Sequence, residues 1–424
     1  MIEALYALYL KHPQISIDTR SISKNCIFFA LKGDNFNANE FAHTALSNGA
    51  AYAIVDEEKF VLDERCILVD NVLETLQELA RHHRRRIKCP VLAITGSNGK
   101  TTSKELLYRV LQQKYTTTAT KGNYNNHIGV PLTILSVDTQ TEFAIIEMGA
   151  NHIGEIDFLC NIAMPEYGVI TNVGKAHLEG FGSLEGVLEA KTELYRYIDK
   201  RNGILFIKDN QNNLLEKRSE GTKFFTYGSL EKSTYKIRFI EAQPKVVVSY
   251  EDKHINSQLI GDYNFDNIAL SIAIGLHFKV DKEDIKKALE LYVPTNNRSQ
   301  IVNTASNTIL LDAYNANPMS VEKAIQTLSS IEHENKMIIL GDMFELGQES
   351  KKEHIKIINL CLSHGFSNVM LVGEEFSTVN KTSYKSYRTT KELFENLNVV
   401  QIKDAFVLIK GSRGMKLEQL VNNL

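Results

Sequence analysis

Proline is scarce in this chain, at 7 of 424 residues, and Gly reaches only 24, so the composition sits with ordinary soluble globular proteins and away from disordered ones. Cysteine is scarcer still. Cys26, Cys66, Cys89, Cys160 and Cys361 are scattered with no Cys-x-x-Cys pair, which argues against a zinc or redox centre and for reduced thiols in a cytoplasmic protein. Positive charge is not in excess: 48 Lys and Arg against 51 Asp and Glu leave a net charge of -3, so neither nucleic acid nor an acidic membrane surface is the expected partner. Long apolar runs are missing as well; none approaches the ~18 residues that span a bilayer. The first residues, "MIEALYALYLKHPQ", have no basic stretch and are interrupted by Lys11, so no signal peptide and no stable membrane insertion are expected.

What is present is enough apolar material, 43% of the chain, for several cores, and the length predicts two to four domains. Residues 1–85 read as a small α/β unit, with strands in "CIFFAL" (26–31), "AYAIVD" (51–56) and "CILVD" (66–70) and helices over 40–47 and 72–85. The run "RHHRRR" (81–86) falls where the last helix ends, and reads as a solvated helix end at a domain junction. Residues 86–293 carry longer apolar strands, "VLAIT", "FAIIEM", "YGVITNV" and "GILFIK", separated by helical stretches, the pattern of a parallel sheet covered on both faces. "KFFTYG" and "KVVVSY" follow in quick succession and read as a small antiparallel extension. Residues 294–424 alternate strand and helix again ("TILLDA", "MIILGD", "NVMLVG", "AFVLIKG" and a last helix), which predicts a second doubly wound α/β domain.

The chemistry concentrates in the central segment. "AITGSNGKTTSKEL" (93–106) sounds like a phosphate loop, yet the usual G-x-x-x-x-G-K-[S/T] spacing would put glycine at position 94, which is Ile94. The context is nevertheless that of a phosphate loop, a buried strand before and an amphipathic helix after. Gly96 and Gly99, with Ser97 and Asn98 between them, allow backbone N–H groups to converge on an anion at a helix N-terminus. Lys100 would reach the β- and γ-phosphates of ATP and Thr101 would offer a hydroxyl to Mg2+, with Thr102 beside it. Glu147 ends an apolar strand, where a carboxylate is costly unless it faces a cation, and Mg2+ suits it. His177, in "TNVGKAHLEGFGS", is as readily structural as catalytic on spacing alone, and Lys191 by itself reads as a solvated helical lysine.

Taken together, "TGSNGKTT", "GNYNNHIGVPLT", "IIEMGANHIGEI", "TNVGKAHLEGFGS", "EAKTEL", "GDYNFDNIALSIAI", "LDAYNANPMS", "GDMFELG" and "KGSRGM" resemble the Mur ligases of peptidoglycan synthesis, in order and along the whole chain. The short-spaced loop is also what that family shows. The resemblance implies an α/β protein of three domains: a UDP-sugar domain, a central P-loop-type ATPase domain with a mainly parallel sheet, and a C-terminal Rossmann-like domain that closes over the site. It implies an amide ligase acting through an acyl phosphate, with UDP-N-acetylmuramoyl-tripeptide and D-alanyl-D-alanine as the substrates of the best-matching member, and a monomeric enzyme. It further implies that Thr101 and Glu147 serve the metal on ATP, that His177 serves a second Mg2+, and that Lys191 is carbamylated, which replaces a repelling amine by carboxylate-like oxygens. Asn267 would meet the adenine, with Asn264 shaping the loop; either also suits a helix start. Arg298 would contact the terminal phosphate and Asp312 the ribose. Asp18, Thr19 and Arg20 would contact the UDP diphosphate, where a forked guanidinium fits, although a surface turn explains them too. Asn125 and Asn126 would touch the muramoyl peptide, and no role passes to "GDMFELG" or "KGSRGM".

The chain departs from the family in three places: "NFNANEF" where an Asp-Gly-His is frequent, "NNR" where Gly-Arg is frequent, and "LDA" where paired Asp residues are frequent. Competing readings are a Mur ligase that adds the third residue of the stem peptide, a folylpolyglutamate synthetase, and an ATP-binding switch protein that does not ligate.

Overall fold

The computed structural model describes residues 1–397 and 402–424. Three α/β layers follow one another along the chain. In the first, Ile15–Ser16, Ile27–Phe29, Tyr52–Val55 and Cys66–Leu68 form a parallel four-stranded sheet. Side chains alternate across it. Ile27, Phe29 and Ile54 pack under the helices Ile2–Lys11 and Val72–Arg84, while Phe28, Ala53 and Val55 pack against Ala42–Ser47. The opening helix Ile2–Lys11 was not legible as one in the sequence.

The central sheet has seven parallel strands in the order Tyr235–Lys236, Lys223–Gly228, Ile204–Lys208, Tyr167–Ile170, Val91–Thr95, Phe143–Glu147, Thr117–Ala119. Strand order reverses beside Val91–Thr95, so the loops leaving Thr95, Glu147 and Ile170 splay apart at one edge and leave a crevice between them. "KFFTYG" corrects the sequence expectation: Lys223–Gly228 joins the parallel sheet, because the connection from Lys208 holds a short helix, Asn212–Leu215, long enough to cross over. Only Lys245–Tyr250 belongs to a separate antiparallel sheet, with Arg238–Ala242 and Lys253–Ile260.

The third sheet runs Gln300–Asn303, Thr308–Asp312, Phe406–Lys410, Lys336–Gly341, Val369–Val372, Lys385–Tyr387, parallel except for its first strand. Its last segment is 3-10 rather than α-helical, Arg413–Met415 and Leu417–Asn423.

The basic run "RHHRRR" is a second correction. His82, His83 and Arg84 are buried, not solvated. They weld the first layer to the second, and a single apolar cluster extends from Leu5 and Tyr9 through Leu76 to Val91 and Ile146. His83 donates from Nε2 to the Val137 carbonyl at 2.7 Å and its ring also meets the Tyr6 and Tyr9 hydroxyls, and burial pushes its imidazole pKa down. Arg84, 5% exposed, donates to the carbonyls of Ala163 at 2.7 Å and Met164 at 2.8 Å and to the Glu166 carboxylate at 2.5 Å. Arg84 is there because it faces carbonyl oxygens across the junction, while Arg85 and Arg86 are exposed. Arg84→Met keeps the stem but strands those acceptors, so it is expected to lower stability by about 2–4 kcal/mol in urea unfolding. An unchanged midpoint would mean that this junction does not hold the two layers together.

All five cysteines are free and buried. Among the described residues no helix is long and apolar enough to cross a membrane.

Candidate active site

The loop after Val91–Thr95 needs both of its glycines. Gly96 has φ 141°, and a Cβ there would lie 2.1 Å from the Thr171 hydroxyl; Gly99 has φ 80°, and a Cβ there would lie 2.5 Å from Asn267 Oδ1. The short spacing is thus matched by a close approach of two other segments. Ser97 N donates to the Asn172 carbonyl at 2.9 Å and Ser97 Oγ exchanges hydrogen bonds with Gly174. The helix Lys100–Leu111 starts directly after Gly99 and leaves its first N–H groups facing the crevice.

Around this loop lies a cavity of about 780 Å³, of the size that small-molecule sites have. One wall comes from the central layer: Ser97, Asn98, Gly99, Lys100, Thr101, Thr102, Asn125, Asn126, Glu147, His177 and Asn267. The opposite wall comes from the third layer, with Arg298, Asp312, Tyr314, Asn317, Lys323, Glu345 and Lys410. Most of the residues expected from sequence therefore converge. Gly96 is not on the cavity surface, although its carbonyl accepts from Lys100 Nζ at 2.7 Å.

Glu147 is 1% exposed. Its Oε1 accepts from Thr101 Oγ1 at 3.2 Å and from Asn125 Nδ2 at 2.8 Å, while Oε2 has no partner among the described residues. A buried carboxylate oxygen left unpaired is costly unless a cation meets it. Burial lowers the Lys100 pKa, opposed by Glu147 and reinforced by Arg298. Asn126 is engaged locally, its Oδ1 accepting from the N–H groups of Ile128 and Gly129 at a helix start.

Lys191 corrects the surface reading. It is 2% exposed on the helix Leu184–Lys200, its Nζ 3.4 Å from the Ala150 carbonyl and over the Phe181 ring. Burial and then the Lys100 charge bring its pKa down to about 7, against the pull of Glu155 and Glu193. The amine itself does not line the cavity; Ala150, to which it bonds, does.

His177 sits at φ 51° and pairs with Glu345 of the third layer, whose carboxyl it holds below the usual range. Asn267 accepts from Ser103 Oγ and donates to Asn264, which in turn donates to the Ile260 carbonyl. Arg298 lies 3.7 Å over the Tyr314 ring, and Asp312 accepts from Lys410 Nζ at 2.5 Å.

Lys410, Glu345 and Asn317 were missed. Lys410 had a legible signal: a lysine ending the buried strand "AFVLIKG" must face an anion or acceptors, here Asp312 and the Asn315 carbonyl. Ser412 brings the two unassigned motifs together, since Phe344 N donates to Ser412 Oγ and Ser412 N to the Asp342 carbonyl. Asp18, Thr19 and Arg20 are not brought to the cavity. They lie at a 3-10 turn of the first layer, Thr19–Ser21 capped by Asp18, where the exposed Arg20 guanidinium pairs with Asp18.

Residues 94–275 match the Mur ligase middle domain, and residues 297–413 match the domain described as Mur ligase, glutamate ligase domain. The chain belongs to the Mur ligase family. It is 34% identical to the UDP-N-acetylmuramoyl-tripeptide--D-alanyl-D-alanine ligase of Bacillus subtilis, over 97% of this chain and 92% of that one. Among solved structures, MurF from Acinetobacter baumannii superposes with a TM-score of 0.85 at 30% identity, covering 97% of this chain and 93% of that one. MurF from Thermotoga maritima in complex with ADP superposes with a TM-score of 0.83 at 26% identity, covering 97% and 96%. The fold is thus the three-domain Mur ligase architecture, and the loop around Gly99 opens into the cavity between its second and third domains.

Proposed function

We propose that the protein is the ATP-dependent ligase that joins D-alanyl-D-alanine to UDP-N-acetylmuramoyl-tripeptide in peptidoglycan precursor synthesis. The observation that carries this reading is the single cavity in which a phosphate loop, a buried carboxylate with a spare oxygen and the residues of a closing third domain meet. Full-length similarity to ligases of that name supports the choice of substrates.

The division of labour follows the chain: residues 1–85 hold the UDP substrate, with Asp18, Thr19 and Arg20 toward its diphosphate; residues 86–293 hold ATP; residues 294–424 close the site. In the first step a carboxylate oxygen of the tripeptide attacks the γ-phosphorus of ATP and ADP leaves. In the second the dipeptide amine attacks the resulting acyl phosphate, a proton is lost, and inorganic phosphate leaves as the amide forms. Phosphorylation is needed because a carboxylate has no adequate leaving group. Lys100 and Arg298 supply positive charge where the transferring phosphoryl gathers negative charge. Asn267 orients the adenine and Asp312 the ribose, and closure of the third domain keeps water from the acyl phosphate.

The donor set fits Mg2+. Among the described residues no group of three or more His, Cys, Asp and Glu could hold a metal by itself. Mg2+ is commonly held by one or two side chains plus substrate phosphates, and the spare Glu147 Oε2 with the Thr101 hydroxyl matches that habit. When bound, Mg2+ would neutralise phosphate charge; Thr101 and Glu147 would hold one ion, His177 and carbamylated Lys191 a second. Asn125 steadies Glu147 and, with Asn126, borders the muramoyl peptide. The family resemblance points to a monomer, and the soluble nucleotide substrates support a cytoplasmic location.

ADP release in the presence of UDP-N-acetylmuramoyl-tripeptide tests the reading. Release is expected to require D-alanyl-D-alanine and to be negligible with single amino acids or no amine. Turnover indifferent to the dipeptide would overturn it.

A further inference from the structure

Asn317 opens the helix Pro318–Ser330 of the third domain, and its side chain works in two directions. Its Oδ1 accepts from Ser320 N at 2.9 Å, while Ser320 Oγ accepts from Asn317 N at 3.0 Å, a reciprocal cap. A backbone N–H can only donate, so the oxygen of this carboxamide must face the helix and its Nδ2 must face outward. That Nδ2 donates to Asn98 Oδ1 at 2.8 Å, in the middle of the phosphate loop. The polarity is thereby passed on. With its oxygen occupied, Asn98 presents its own Nδ2, which is buried and has no hydrogen-bond partner among the described residues. The rest of Asn98 is held from behind: its N donates to Asn172 Oδ1, and its carbonyl accepts from Thr171 Oγ1 and Asn172 Nδ2. Asn98 and Asn317 both border the cavity.

We infer that Asn317 is a positioning residue that acts through Asn98, fixing its carboxamide so that an N–H donor meets the transferring phosphoryl group only when the third domain is docked. The inference rests on the reading of the cavity as the ATP site. It links domain closure to phosphoryl recognition through two side chains. An acceptor-rich ligand is demanded at the end of the relay, because an unpaired buried donor is costly and a phosphoryl oxygen satisfies it. ADP, which lacks that group, gains nothing from the relay.

The test is a double-mutant cycle on Asn98→Ala and Asn317→Ala, read as affinity for a non-hydrolysable ATP analogue and for ADP by titration calorimetry of the full chain. Each single variant is expected to weaken the analogue about tenfold, the loss of one charge-assisted hydrogen bond, with ADP affinity changed less than twofold. The double variant is expected to be no weaker than Asn98→Ala alone. Asn317→Asp preserves the helix cap, and hence thermal stability, but replaces the donor by an acceptor, so it too should lose the analogue selectively. Additive losses, equal losses for ADP and the analogue, or wild-type affinity in Asn317→Asp would each overturn the relay. Absence of nucleotide binding in the wild-type chain would instead overturn the reading of the cavity.

Discussion

Replacing Lys100 by alanine is expected to reduce kcat/KM for ATP by about 10³-fold, with the thermal midpoint little changed. The placement of the side chain suits this role. Its ammonium rests on the Gly96 carbonyl at 2.7 Å, at the start of a helix whose first N–H groups face the same space. Burial costs the cation part of its hydration, Glu147 offsets some of that loss, and Arg298 adds a smaller repulsion. A cation in that position gains most when several phosphate charges arrive, so its stabilisation is larger for the charged transition state than for the free protein. Lys100→Arg is not a substitute, since a planar guanidinium does not fit where a compact ammonium meets a carbonyl in a narrow loop. ADP release by Lys100→Ala within tenfold of wild type would contradict the assignment of this loop.

Lys191→Ala is expected to abolish ligation, by about 10²–10³-fold or more, and a small carboxylate added to the buffer is expected to restore part of it. The reason lies in what burial does to the amine. A free lysine is neutral at pH 7 in only about 1 molecule in 10³. With its pKa brought down to about 7, Lys191 is about half neutral there. Only the neutral amine attacks CO2, and the neutral fraction grows as pH rises through 7, so carbamylation is favoured on the alkaline side and suppressed on the acid side. Activity in CO2-depleted buffer should accordingly fall, most steeply below pH 7, and return on adding bicarbonate. Lys191→Arg retains positive charge and cannot form a carbamate, so it should be as inactive as the alanine variant and, unlike it, should not respond to added carboxylate. If the arginine variant turned over normally, the carbamate would play no part. The Lys100 charge contributes to the low pKa, so Lys100→Ala should also make Lys191 more basic and less readily carbamylated.

The misreadings of Lys191 and "RHHRRR" share a cause. Composition and helical position make a lysine or an arginine look solvated, because most are. Burial here depends on what packs on top: Phe181 and the Ala150 carbonyl over Lys191, the carbonyls of Ala163 and Met164 over Arg84. These partners lie up to 80 residues away in sequence, and no local pattern announces them. The strand Lys223–Gly228 was misjudged for a related reason, since pairing direction depends on where the preceding connection runs, not on the strand's own residues.

By itself, the sequence determined the alternating α/β segments, the two-faced parallel strands, the strand-loop-helix that carries Lys100 and Thr101, and the strand-end carboxylate Glu147. Each of these rests on short-range pattern: alternation, strand-loop-helix order, and the cost of a charge in an apolar run. Only the tertiary structure decided that Gly96 and Gly99 are glycines because Thr171 and Asn267 crowd them. It alone joined His177 to Glu345 and Asp312 to Lys410, and set Asn317 against Asn98. Those pairs cross between or within domains at separations no periodicity can encode, and their energies exist only once the layers have packed.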